Sequence, residues 1–118
     1  MEFVLIIAAA YNFLGAFSMW FQFADNNYDL TQVAPDYLQY RFFTGGTAFL
    51  FGVIYLYIFF VPDAVMPLLV FGVALKMWSF FSSLICYKKF GFPRSDFFKV
   101  GVGNLVFALL FLVYMYSL

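Results

Sequence analysis

Four apolar runs, Phe3–Phe23, Phe42–Phe60, Ala64–Cys86 and Phe97–Leu118, occupy most of this 118-residue chain. Each is long enough to cross roughly 30 Å of hydrocarbon as an α-helix. A backbone inside lipid must satisfy its own hydrogen bonds, so runs of this length are read as helices rather than open strands. The predicted fold is all-α, one antiparallel bundle of four transmembrane helices over residues 1–118. Composition agrees. Hydrophobic residues make up 66% of the chain and charged ones 10%, with mean hydropathy +0.95. A soluble domain carries about 45–50% apolar and about 25% charged residues.

What is missing narrows the chemistry. The chain has no histidine and one cysteine, Cys86. Haem on a histidine, His-ligated zinc or copper, cysteine clusters and an internal disulfide are therefore excluded, and no cofactor is expected. The formal net charge is zero, which gives no electrostatic footprint for nucleic acid.

The cations set a topology. Arg41 ends the first connection, and Lys88, Lys89, Arg94 and Lys99 lie in or beside the third. The N-terminus, the Val61-Pro62-Asp63 turn and the C-terminus fall on the other side, which holds no Lys or Arg. The positive-inside rule makes the cation-rich side cytoplasmic and both termini extracytoplasmic, as expected in a bacterial inner membrane. The first run lacks a preceding cation and continues past Ala8-Ala9-Ala10, so it reads as a retained span rather than a leader. Pro67 belongs to the first turn of the third helix, where its missing N–H is tolerated. Pro35 interrupts the first connection, and Ser95 or Asp96 caps the fourth helix.

One charge lies deep. Lys76 is about ten residues, or ~15 Å, from either end of Met66–Cys86. A cation at that depth costs roughly 2.5–3.5 kcal/mol, so it faces a helix interface or a wet cavity. No carboxylate lies in any run at its depth. Three chemistries are open to it. The amine is neutral; or it donates to Asn12, Asn104 and backbone carbonyls; or it binds an anionic headgroup, a carboxylate or a polar lipid.

Small and polar residues recur at helical spacing along each run. Gly72, Lys76, Ser79, Ser83 and Tyr87 make one stripe, and Ala8, Asn12, Gly15, Ser18 and Gln22 another. Gly101, Asn104 and Ala108 make a third, and Gly45, Ala48 and Gly52 a fourth. Small residues let helices approach, and polar ones need partners there. The stripes converge on a polar centre in the cytoplasmic half. The candidate ligand-binding residues are Lys76, Asn12 and Asn104, with Ser79, Ser83, Thr47 and Ser18; Thr44 is a further member. None is read as catalytic and none as a metal ligand. The plainer reading is packing glue, at about 0.6 kcal/mol per interhelical hydrogen bond.

Asp25, Asn27, Asp29 and Asp36 match part of an EF-hand spacing. Leu30 stands where that loop needs glycine, and Asp36 where it needs a bidentate Glu, so a solvated loop is the better reading. Trp20, Tyr28, Tyr37 and Tyr40 read as interfacial anchors, and Trp78 as ordinary packing. The Gly45-Gly46 pair allows a kink or a close helix contact.

Tyr11-Asn12 with Gly15, Gly52 with Tyr55, Gly72-Val-Ala-Leu-Lys76, Gly91-Phe-Pro93 and Asn104 together resemble a group of short, uncharacterised bacterial four-span membrane proteins. The resemblance covers nearly the whole chain. It implies that Asn12, Lys76 and Asn104 act as a unit, and it brings no activity with it. Small multidrug transporters share the length and span count but need a membrane-embedded Glu in the first helix, where this chain has Asn12.

The function expected from these residues is non-enzymatic binding or transport of a small anionic or amphipathic, lipid-like ligand around Lys76. The alternative is a structural or accessory subunit whose Lys76 pairs with a carboxylate on a partner helix. Membrane lipid is an expected partner, and a homo-oligomer or a partner membrane subunit is compatible with either reading. With no histidine and no buried acid, only lysine- or tyrosine-based catalysis is open.

Overall fold

The computed structural model describes residues 2–21 and 31–118. All regular structure among them is helical. The first helix is Phe3–Phe21, the second Pro35–Phe60 and the third Val65–Lys89. The fourth, Arg94–Ser117, is a turn of α-helix, a π-helical stretch over Phe97–Val102 and an α-helix from Gly103 onward. All four are long and apolar enough to cross a membrane. Gln22, Phe23, Asp25, Asn27, Tyr28, Asp29 and Leu30 lie outside the described residues.

The helix ends differ from the apolar runs for local reasons. The second helix starts two turns before its run because Pro35 sits at its first position, where a fixed φ and an absent N–H favour initiation. Pro35 therefore starts the helix rather than interrupting a loop, and Tyr37, Tyr40 and Arg41 are helical. The third helix runs past Cys86 to Lys89, with Lys88 and Lys89 in its last turn, where cations suit the carbonyl end. Gly91 adopts φ +72°, which glycine reaches without a Cβ clash, and Phe92 N–H turns back to Cys86 O at 3.1 Å. Ser95 and Asp96 do not cap the fourth helix. Pro93 holds that position, and both residues lie inside the first turn. Between the second and third helices, Pro62–Ala64 forms one 3₁₀ turn, and Pro67 lies in the following first turn.

The first helix packs along the second, and the third along the fourth. The end of the first helix meets the start of the second: Trp20 Nε1 donates to Phe42 O at 3.2 Å, and Arg41 Nε donates to Met19 O at 2.7 Å. Aromatic rings, rather than bare backbone, fill the small-residue stripes. The Trp20 ring covers Gly45, where a Cβ would stand 2.5 Å from Nε1, and Phe13 covers Gly52 in the same way. Trp20 is thus a packing residue of the helix pair, not a free interfacial anchor. Tyr40 is exposed, and Trp78, expected as ordinary packing, is exposed as well.

The two pairs join at the end of the bundle that holds the Pro62 turn. Leu5, Ala8, Tyr55, Ile58, Leu69 and Phe111 are buried there in one cluster. Tyr55 and Phe111 pack with ring centroids 5.0 Å apart, a geometry that contributes about 0.5–1.5 kcal/mol beyond area burial. Phe3, Leu50, Phe60, Phe71 and Leu112 are among the many large apolar side chains exposed on the outside. An apolar exterior of this extent marks a surface made for contact with apolar partners.

Candidate functional site

Toward the opposite end the two helix pairs line a half-open cavity of about 550 Å³. Small-molecule sites range over about 300–1,000 Å³. Lys76 lies at its inner end and is 1% exposed. Its ammonium donates to Asn12 Oδ1, crossing from the third helix to the first. The same nitrogen stands 4.8 Å from the ring centroid of Tyr11, 5.4 Å from that of Phe107 and 5.6 Å from that of Tyr55. All three lie within the ~6 Å over which a ring face attracts a cation, and the attraction strengthens when water is excluded. No carboxylate among the described residues pairs with this ammonium.

The rings are held in place by glycines. Tyr55 lies against Gly72, where a Cβ would come within 2.8 Å of the ring. Its hydroxyl is buried and has no hydrogen-bond partner among the described residues. Tyr11 lies against Gly103, where a Cβ would stand 2.5 Å from the phenol oxygen.

Tyr11 also engages the π-helical stretch. Gly103 N–H, whose α-helical acceptor would be Lys99 O, reaches Phe98 O and Val100 O instead. Tyr11 donates to Lys99 O at 2.6 Å. Such π segments recur at functional sites because they re-aim a turn of helix without ending it. Asn104, just beyond, donates through Nδ2 to Val100 O at 2.6 Å and to Ser79 Oγ at 3.0 Å.

Six of the seven candidate ligand residues border the cavity: Lys76, Asn12, Asn104, Ser79, Thr47 and Ser18. The seventh does not. Ser83 is buried against Gly101, one turn beyond Ser79. Lys76 and Asn12 are bonded directly, whereas the Asn104 amide serves Ser79 and its own helix. The Thr47 and Thr44 hydroxyls donate back to Phe43 O and Tyr40 O, the usual local bond of a helical threonine.

Sequence reasoning missed three charged residues on the same wall: Arg41, Asp96 and Lys99. Arg41 is only 5% exposed and Asp96 7%. Arg41 reaches Met19 O, Tyr37 Oη at 3.3 Å and Ser18 O at 3.4 Å, so it holds the last turn of the first helix. Tyr37, expected as an interfacial anchor, lines the cavity beside it. Pro35 was the available signal, since a helix beginning there carries Arg41 nearly two turns inward. Tyr11, Tyr55 and Phe107 were missed as the cage around Lys76.

Among the described residues no group of His, Cys, Asp and Glu could hold a metal ion. Asp36, the last position of the calcium-like spacing, sits in the first helical turn with Oδ1 accepting from Tyr37 N–H at 3.1 Å. No protein-family model, no curated protein and no solved structure matches this chain, so the site is read from its own chemistry.

Proposed function

We propose that this protein is an antiparallel four-helix bundle of a bacterial inner membrane that binds or transports a small anionic or amphipathic ligand in the cavity beside Lys76. Both termini are extracytoplasmic in this reading, and the cavity faces the cytoplasmic side, where Arg41, Lys88, Lys89, Arg94 and Lys99 gather. The orientation follows from the cation bias of the connections.

One observation carries the reading: a cavity of ligand size is bordered at one end by buried Lys76 and at the other by buried Arg41. In a low-dielectric space a cation attracts an anion several times more strongly than it does in water. The cavity walls combine apolar side chains with a few convergent polar groups, the usual make-up of a binding site. The proposed role is non-enzymatic.

Gly15 supplies the test. It borders the cavity, and a Cβ built on it meets nothing within 4 Å. Gly15→Phe therefore fills the space without disturbing the packing behind it. Native mass spectrometry of protein extracted with its lipid should show a bound small molecule on the wild type and none on the folded variant. Equal retention by both proteins places any ligand elsewhere. A protein that carries no ligand and loses stability on isolation from a partner subunit favours the accessory role instead.

A further inference from the structure

Four of the chain's six cations, Lys88, Lys89, Arg94 and Lys99, lie in or beside the third connection. All four are exposed, and none has an ion pair among the described residues. The carboxylate of the same stretch, Asp96, is buried. Cations that no acid neutralises give this end of the bundle a positive field, which draws anions from its surroundings.

Local geometry brings the four together. Gly91, at φ +72°, turns the chain sharply after the third helix. The Tyr87 and Phe97 rings then stack, with centroids 4.8 Å and planes 9° apart, and tie the end of the third helix to the start of the fourth. Lys88 and Lys89 follow Tyr87, and Arg94 and Lys99 flank Phe97, so the stack joins both groups. Apolar groups accompany the charges. Phe90 is 76% exposed and Phe98 51%, and the Arg94 guanidinium lies 5.6 Å from the Phe98 ring centroid. Cations beside bare rings suit the boundary between lipid headgroups and hydrocarbon, where each kind of group finds its own solvent.

We propose that this surface is a headgroup site for anionic phospholipid in the leaflet on its side of the membrane. The cations attract the lipid phosphate, and Phe90 and Phe98 lie against the apolar part of the same molecule. Each Lys or Arg near an anionic bilayer strengthens such an attraction about fivefold. A free phosphate ion would use the cations and leave both rings in water, so lipid is the better match. The groups are exposed, so the lipid exchanges with its leaflet rather than being retained like a ligand in the cavity. The proposal rests on the membrane-spanning reading and is independent of the cavity.

The test is electron spin resonance of spin-labelled phosphatidylglycerol and phosphatidylcholine around the whole protein in vesicles of mixed lipid. Symmetric vesicles offer the same lipid to both leaflets, so the orientation of the bundle does not enter. Phosphatidylglycerol should associate several-fold more strongly than phosphatidylcholine. Raising the salt from about 0.1 M to about 1 M should remove most of the preference, because it shortens the reach of exposed charges. The triple variant of Lys88→Gln, Lys89→Gln and Arg94→Gln changes only exposed side chains, so the fold should hold while the preference falls toward parity. Gly15→Phe, in the cavity, should keep the preference whole. No preference in the wild type, or one that survives either the salt or the triple variant, overturns the site. A preference lost in Gly15→Phe instead assigns the lipid to the cavity and overturns the surface. Protein that carbonate strips from the vesicles overturns the spanning bundle as well, whereas protein that stays but shows no preference leaves the bundle standing.

Discussion

The Lys76 ammonium donates to Asn12 Oδ1, and Asn12 extends the tie to the second helix through Nδ2, which donates to Ala48 O at 3.0 Å. Three helices thus meet at one buried carboxamide. The same nitrogen also lies over the Tyr11, Phe107 and Tyr55 rings, so the Lys76 amine is surrounded by one oxygen and three ring faces.

Asn12→Leu should remove the side-chain acceptor that Lys76 has among the described residues and destabilise the bundle by about 1–3 kcal/mol, the usual cost of leaving a buried polar group without its partner. Adding Lys76→Met should recover most of that loss, since the double variant replaces both partners with apolar groups. A double-mutant cycle read by denaturation in bicelles measures the coupling. Strict additivity would show that the two side chains do not act together.

Tyr11→Phe keeps the ring beside Lys76 but loses the bond to Lys99 O, and should cost about 0.6 kcal/mol, the average for interhelical bonds in membranes, and at most about 1.7 kcal/mol. Gly103→Ala places a methyl where the Tyr11 hydroxyl lies and should cost more. In the Tyr11→Phe background the same alanine should be milder, because the atom it meets is gone. Melting temperatures of the four proteins check the order.

Much of this was legible in the chain. Lys76 stood out as the one charge at mid-depth in an apolar run, and helical spacing put Asn12, Ser79 and Asn104 on inward faces. The cage was not legible. Tyr11, Tyr55 and Phe107 are three aromatic residues among many, and only tertiary packing against Gly103 and Gly72 decides which rings face the ammonium. Arg41 and Asp96 were hidden by the apolar runs themselves, whose edges fall inside the true helices. The π-helical shift at Phe97–Val102 has no pattern in the sequence, yet it brings Lys99 O to Tyr11. Ser83 shows the limit of stripe counting. It shares a face with Ser79, but the neighbouring Gly101 lets the fourth helix close over it.

Topology makes its own prediction. In a Cys86→Ser background, single cysteines beside Glu2 and Asp63 should react with a membrane-impermeant thiol reagent added outside intact cells. One beside Lys88 should react only after the cells are opened. Labelling of the Glu2 and Lys88 positions from the same face would contradict a bundle of four spans.

Lipid-dependent thermal stability bears most directly on the claim that the Lys76 cavity holds a ligand. Wild type, Lys76→Met and Lys76→Arg are melted with and without lipid extracted from the native membrane. Lys76→Met keeps the length and removes the intramembrane charge but leaves Asn12 Oδ1 without its donor, so its lipid-free fold should stay within about 1–3 kcal/mol of wild type. Lys76→Arg replaces a compact ammonium with a planar fork that does not fit the same cage. The account predicts a clear upward shift with lipid for wild type, a weaker one for Lys76→Arg and none for Lys76→Met. Equal stabilisation of all three proteins would contradict it.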